Sequence, residues 1–335
     1  MNTKISIIGG GSWGTALAQV ASTNMEEVLI YARDKEVVDN INKNSINPKY
    51  FNEFQLNNNI KATHDIYEAV RFSKYNIISV PTSATRTVMK DIEETLDKSH
   101  IIISSAKGLE ISSFQTNSEI IREFFDGEIA VLSGPTHAEE VIKEIPTAIV
   151  VGSKNIDLAK NIQEKMMTSR FRIYTIKDVK GIEIAGAVKN IIAVASGVTD
   201  GVGYGDNTKA ALITRGLAEI VKFGLYMNTN RETYHGLAGL GDLVVTCYSN
   251  HSRNRRFGIQ IGKGKSFQEA KEIVRQVVEG AKTAKAVYNF LQDHDDLEMP
   301  ITEEVYKVLY QNKEPHQALD DLMLREPRNE FYYLS

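Results

Sequence analysis

The sequence predicts an α/β fold in two parts, an N-terminal doubly wound Rossmann-type domain over 1–178 and an all-α C-terminal domain over 179–335. Three observations predict it. A branched apolar run, Lys4-Ile5-Ser6-Ile7-Ile8, enters Gly9-Gly10-Gly11-Ser12-Trp13-Gly14 and passes at once into a helical stretch from Gly14 to Val20. Short apolar runs then alternate with helical stretches as far as Val151, the pattern of βαβ units. From about Asp178 every patterned segment reads as helix, with no convincing strand among them.

After the first strand, Val28-Leu29-Ile30-Tyr31 reads as the second, and Asn76 to Val80, closed by Pro81, as another. His100 to Ser104, Glu128 to Leu132 and Ala148 to Val151 continue the series. Runs this uniformly apolar suit strands covered on both faces, hence a parallel sheet, with helices such as Arg86 to Leu96 and Ser113 to Phe125 as crossovers. Asn57-Asn58-Asn59 reads as a loop. In the second half, Ile182 to Ala195, Thr208 to Tyr226, Phe267 to Val278, Ala281 to Leu291 and Thr302 to Leu309 are helical, and the joint runs directly into a helix near Val179.

A chain of 335 residues with 42% hydrophobic content fills two domains of ordinary size. A net charge of −4 gives none of the basic footprint of a nucleic-acid binder, so a small-molecule substrate is the expected partner. No apolar run approaches the roughly 20 residues that cross a bilayer, and the N-terminus lacks the pattern of a secretion signal. A cytoplasmic protein without membrane insertion is expected. The single cysteine, Cys247, forms no internal disulfide, and no Cys/His cluster has metal-ligand spacing, so no metal is expected.

Gly9, Gly11 and Gly14 have the G-x-G-x-x-G spacing of a dinucleotide-binding turn. The first permits the tight turn, the second lets backbone approach a pyrophosphate, and the third allows close helix–strand packing. The phosphates then meet the positive end of the helix dipole. At the end of the second strand stand Arg33, suited to a 2′-phosphate or to stacking on adenine, and Asp34, suited to a ribose hydroxyl about 20 positions past the turn. NAD and NADP both stay open.

The segment Gly181 to Ala195 is almost wholly apolar but carries Lys189. Desolvation lowers a lysine's pKa and makes it a usable acid or base near neutrality, and Gly186, one turn earlier, leaves room beside the amine. A lysine that buries its stem and snorkels to water is the bland alternative, and Asn190 reads as a satisfied core amide. Asp242, among the glycines and aliphatics of Leu237 to Cys247, is a candidate charge partner for Lys189, or a helix N-cap, or both. His251-Ser252-Arg253-Asn254, with Arg255 and Arg256 adjacent, is a donor-rich loop suited to a phosphate monoester or simply a polar turn. Lys107 and the segment Gly134-Pro135-Thr136-His137-Ala138 follow strand carboxyl ends, where open α/β sheets place ligands.

Taken together, these segments resemble the NAD(P)-dependent sn-glycerol-3-phosphate dehydrogenases of the soluble bacterial type, over almost the whole chain. The resemblance is carried by GGGSWGTALA from Gly9, SAKGLE from Ser105, SGPTHAEE from Ser133, GAVKNIIAVASG from Gly186, GVGYGDNTKAALITRGLAE from Gly201, GLAGLGDLVVTC from Gly236, HSRN from His251 and VVEGAKTAKAVY from Val277. It implies Lys189 as the proton donor and acceptor, and Lys107, Gly134, Thr136, Lys189, Asp242, Ser252, Arg253 and Asn254 as the substrate-binding set. It implies cofactor contacts from Ser12, Trp13, Arg33, Tyr50, Lys107, Ala138, Arg253, Val277 and Glu279, beside the glycines of the turn. NADP or NAD is the implied cofactor, a homodimer the expected assembly, and the implied role is supplying glycerol 3-phosphate for phospholipid synthesis. Gly10 stands where alanine is more usual, and Ala106 where serine or valine is more usual, without loss of a functional group.

Rival readings are a β-hydroxyacid-type dehydrogenase acting on a carboxylate, a non-catalytic dinucleotide-binding redox sensor, and a nucleotide-sugar dehydrogenase with Cys247 as nucleophile. The sensor lacks a basic DNA-binding module, and a cysteine in an apolar segment is more often core.

Overall fold

Eight strands form one sheet in the order β3-β2-β1-β4-β5-β6-β7-β8. They are β1 (Lys4–Ile8), β2 (Glu27–Tyr31), β3 (Ile60–Thr63), β4 (Tyr75–Ile78), β5 (Ile101–Ser104), β6 (Glu128–Ser133), β7 (Thr147–Gly152) and β8 (Phe171–Ile176). Alternate residues point to opposite faces: Ile5, Ile7, Ile77 and Ile103 join one core cluster, while Ile8, Ile78 and Ile102 join another. Both faces are therefore buried under helices, which is why the strands are apolar throughout.

The computed structural model describes residues 4–275 and 277–331, so the outer ends of the two predicted domains lie outside the described residues. The sheet differs from the sequence expectation in two respects. β3 and β8 are additional strands, and both lie at sheet edges. β7 runs antiparallel to β6, whereas every other neighbouring pair is parallel. The connection between them carries only the short helix Ala138–Val141 and returns the chain beside β6 without a full crossover.

The chain divides into two compact units, Met1–Lys107 with Asn117–Val179, and Gly108–Thr116 with Lys180–Ser335. The division differs from a single cut after 178. Leu109 belongs to the apolar core of the second unit and Phe114 packs against it. The Phe114 ring stacks on Phe290 at a centroid distance of 4.4 Å and meets Phe223 edge-on. These contacts draw the segment after β5 into the helical unit, and the expected helix from Ser113 begins only at Asn117.

Every regular element of the second unit, among the described residues, is a helix. Its longest helix, Val179–Val202, corrects one expectation: it has 24 residues, and an 18-residue stretch of it with a mean hydropathy of 1.4 is long and apolar enough to cross a membrane, yet 94% of that stretch is buried within the protein. It is a core helix. The expected helix from Phe267 to Val278 stops at Val274, because Arg275 adopts a left-handed conformation at φ 54° and the next helix, Glu279–Leu291, starts afresh.

Glu219, on the helix Asp206–Tyr226, caps the helix Pro300–Tyr310 from across the core. Its carboxylate accepts from the backbone N–H of Ile301 at 2.6 Å and of Thr302 at 3.2 Å, and from the Thr302 hydroxyl at 3.1 Å. Burial outweighs these donors and pushes the carboxyl up to about 7 from an ordinary 4.5. A raised acid favours the folded state fully below its unfolded pKa and loses that contribution as pH rises through the folded value. Relative to a Glu219→Gln variant, the wild type should lose stability between about pH 4.5 and 7, by on the order of 3 kcal/mol. Parallel urea titrations across that range check it, and curves with the same pH dependence would refute it.

Candidate active site

In the first unit, the turn between β1 and the helix Ser12–Ala21 is closed by two contacts that exclude a side chain. Gly9 sits at φ 131°, and a Cβ there would lie 2.3 Å from the Ser79 carbonyl oxygen; one on Gly14 would lie 1.9 Å from the carbonyl oxygen of Gly9. Gly11 differs, since a Cβ there meets nothing within 4 Å. The turn is thus tight beneath and open above, the shape that backbone needs to approach a phosphate. The helix start carries no side-chain cap and no acidic residue in its first turn, so its N–H groups and dipole suit an anion. The buried Trp13 Nε1 has no hydrogen-bond partner among the described residues. These features fit a dinucleotide.

Asn47 was not singled out by sequence reasoning. It is buried, and its Nδ2 donates to the Gly10 carbonyl at 3.1 Å and to Thr15 Oγ1 at 2.8 Å, bracing the glycine turn. The backbone N–H of Tyr50 in turn donates to the Asn47 carbonyl, so the exposed Tyr50 belongs to a loop tied to that turn. The Asn-Pro dipeptide at 47–48 was the available signal. At the end of β2, Arg33 is exposed. Asp34 is committed elsewhere: it caps the helix Lys35–Asn44 by accepting from the Glu36 N–H at 3.0 Å, and Lys49 lies 3.7 Å away.

Also in this unit, Lys107 Nζ donates to the Gly134 carbonyl at 2.8 Å and reaches Thr136 Oγ1 at 3.5 Å, while Thr136 Oγ1 donates to the same carbonyl at 3.1 Å. Three residues drawn from the ends of β5 and β6 thereby form one polar cluster. Ala138 is buried at the start of the short helix that follows.

In the second unit, the side chains of Lys189 and Asp242 are 5% and 2% exposed, and the Lys189 ammonium donates to Asp242 Oδ1 at 2.5 Å. It also donates to Thr246 Oγ1 at 2.6 Å, and that hydroxyl donates to the Asp242 carbonyl at 2.5 Å. The snorkelling alternative is therefore excluded. Asp242 is not the N-cap; Gly241 holds that position as the last residue of a π-helical turn over Leu237–Gly241. Such turns recur at functional sites because they re-aim the side chains that follow. Thr246 was missed, since a threonine inside an apolar run reads as core.

Ser252 is buried and caps the helix Arg253–Gly262, its hydroxyl oxygen accepting from the Arg255 N–H at 3.2 Å. Arg253 is exposed, and its guanidinium makes no hydrogen bond or ion pair among the described residues. Asn254 is engaged at both ends: Nδ2 donates to Asn190 Oδ1 and Oδ1 accepts from the Gly280 N–H, each at 2.9 Å. Asn190 Nδ2 reaches the Gly186 carbonyl at 3.2 Å, so it is a satisfied amide as expected. Beside Gly280, the mostly buried Glu279 is raised above the usual carboxylate range by desolvation, against the opposing pull of Lys282 and Arg253, and its Oε1 has no hydrogen-bond partner among the described residues. Val277 is exposed.

Two family models match the chain, one for the NAD-dependent glycerol-3-phosphate dehydrogenase N-terminus over residues 4–159 and one for its C-terminus over 178–320. A glycerol-3-phosphate dehydrogenase [NAD(P)+] of Halothermothrix orenii is 54% identical over 98% of this chain and 97% of its own length. One from Clostridium botulinum is 46% identical over 98% of this chain and all of its own. The crystal structure of a glycerol-3-phosphate dehydrogenase from Coxiella burnetii superposes with a TM-score of 0.91 at 36% identity, covering 96% of this chain and 99% of that one.

Cys247 fits none of the reactive arrangements. It is fully buried, and desolvation pushes its thiol up to about 12, which suppresses the nucleophilic thiolate. Cys247→Ser should retain activity within about twofold, and thiol reagents should act slowly. Abolished turnover in a folded serine variant, judged by circular dichroism, would contradict this.

Proposed function

The chain belongs to the NAD-dependent glycerol-3-phosphate dehydrogenase family, and on that footing we propose which residues interconvert dihydroxyacetone phosphate and sn-glycerol 3-phosphate. The observation that carries the proposal is the buried Lys189–Asp242 pair. The N–H groups at the start of the helix Ser12–Ala21 would hold the phosphates of NAD or NADP, with Ser12, Trp13 and Tyr50 around the turn. With Asp34 engaged in its cap and near Lys49, Arg33 is the group at the end of β2 left to meet the adenosine ribose or its 2′-phosphate. Ala138, Val277 and Glu279 complete the cofactor contacts.

When bound, the reduced nicotinamide supplies a hydride to C2 of the ketone. Lys189 supplies the proton that the C2 oxygen takes up as it becomes an alcohol. The Asp242 carboxylate favours the ammonium form until transfer, and both Asp242 and Thr246 fix its direction. Lys107, oriented by Gly134 and Thr136, adds positive charge for the developing alkoxide. Arg253 offers a planar donor fork to the phosphate, joined by the Ser252 hydroxyl, while Asn254 holds this turn against Asn190. In the reverse direction Lys189 accepts the proton.

The same reading has the enzyme working in the cytoplasm as a homodimer, without membrane insertion, on a route to phospholipids. A carboxylate-specific dehydrogenase or a redox sensor loses ground to the family membership across both halves.

Lys189→Ala should lower kcat by roughly 10² to 10⁴ while dinucleotide binding, followed by fluorescence titration, survives. Wild-type turnover in that variant would remove Lys189 from the chemistry. Arg253→Ala should lose about tenfold or more in kcat/KM for dihydroxyacetone phosphate, with lysine a poor substitute. Its activity on unphosphorylated dihydroxyacetone should match that of the wild type, and an equal loss on both ketones would sink the phosphate-anchor assignment.

A further inference from the structure

The helix Val179–Val202 carries Lys189, and the helix Arg253–Gly262 carries the Ser252–Arg253 turn at its start. The two meet through glycines. A Cβ on Gly197 would lie 2.1 Å from the Arg255 carbonyl oxygen, and one on Gly258 would lie 2.1 Å from that of Val194. On Gly201 and Gly262 the same construction meets the carbonyl oxygens of Ile259 and Val198, each at 2.3 Å. Backbone thus rests on backbone with no side chain between. Such a contact sets the separation of two helices closely but offers few interdigitating knobs to stop one sliding along the other. The register needs another source.

Asp200, one residue before Gly201, supplies it. Its Oδ2 accepts from Arg255 Nε at 2.7 Å, and both its oxygens accept from Lys209 Nζ at 2.9 Å. Arg255 Nη1 also donates to Asn250 Oδ1 at 2.7 Å, and the Arg255 N–H is the one that Ser252 caps. A single guanidinium therefore ties the end of the Lys189 helix to both sides of the turn that presents Arg253. The three charged side chains are 21% exposed or less. Partly buried ion networks of this kind add little net stability but fix geometry.

We propose that Asp200 is a positioning residue, which acts through Arg255 to hold the Arg253 turn in register with Lys189 and so sets the distance from phosphate anchor to proton donor. The proposal rests on Arg253 being the phosphate anchor. Asp200 itself touches no substrate. Its effect should vanish for a substrate that has no phosphate, or in an enzyme that has no anchor.

The test is a double-mutant cycle of Asp200→Asn with Arg253→Ala, with kcat/KM measured on dihydroxyacetone phosphate and, at high enzyme concentration, on unphosphorylated dihydroxyacetone. Asp200→Asn keeps the size and one acceptor oxygen but removes the charge. Alone it should lower kcat/KM on the phosphate about tenfold and leave the unphosphorylated ketone unaffected; in the Arg253→Ala background the further loss should be under about twofold. Arg255→Lys, which keeps the charge and loses the fork, should reproduce Asp200→Asn. Additive losses, or equal losses on both ketones as a merely weakened fold would give, overturn the proposal. Arg253→Ala without effect on the phosphate substrate brings down the anchor reading itself, and the register inference with it.

Discussion

Holding the ammonium of Lys189 where almost none of its side chain meets water costs several kcal/mol unless a counter-charge and further acceptors stand ready, and much of the helical unit answers that demand. Asp242 supplies the charge, and Thr246, one turn further on, supplies the second acceptor. Both must point the same way from one short helix, and the π-helical turn over Leu237–Gly241 precedes them directly. Gly239 belongs to the same adjustment, since a Cβ there would lie 2.1 Å from the Tyr234 carbonyl oxygen. From Gly181 to Gly197 every residue of the Lys189 helix is buried, and that stretch is accordingly almost wholly apolar. That enclosure keeps water from competing for the ammonium.

The interior of the sheet was legible because β1, β4 and β5 are buried on both faces and must be apolar at nearly every position. β3 and β8 escaped for the opposite reason. As edge strands they turn residues such as Lys61, Arg172 and Tyr174 toward solvent, so their composition carries a weaker signal. Strand direction is not encoded in composition at all. The reversal at β7 follows from the connection that leads to it, which carries only the short helix Ala138–Val141. The apolar run that met the length of a bilayer span was hidden by scattered polar residues, Glu183, Lys189 and Asn190, each of which is buried within the fold.

The candidate site was legible where a residue contradicted its surroundings. Lys189 and Asp242 are charges in apolar segments, Arg253 lies in a cluster of donors, and the glycine spacing repeats a backbone requirement. Thr246 and Asn47 contradict nothing around them, and only the fold gives them partners. Arg255 shares its segment with Arg253 and Arg256, and composition cannot separate the arginine that pairs inward with Asp200 from the one that faces outward.

The excursion of Gly108–Thr116 into the helical unit bears on how this protein can be dissected. The chain leaves the first unit after Lys107, returns to it at Asn117 and departs again after Val179, so no single cut separates the two units. A gene fragment ending at 178 would carry Leu109 and Phe114 without the core that encloses them, while the complementary fragment would have Phe290 and Phe223 facing a gap. Recombination that swaps either half between relatives inherits the same mismatch unless these residues travel with the helical half. The parts are modular in architecture, but not in the genetic text that encodes them.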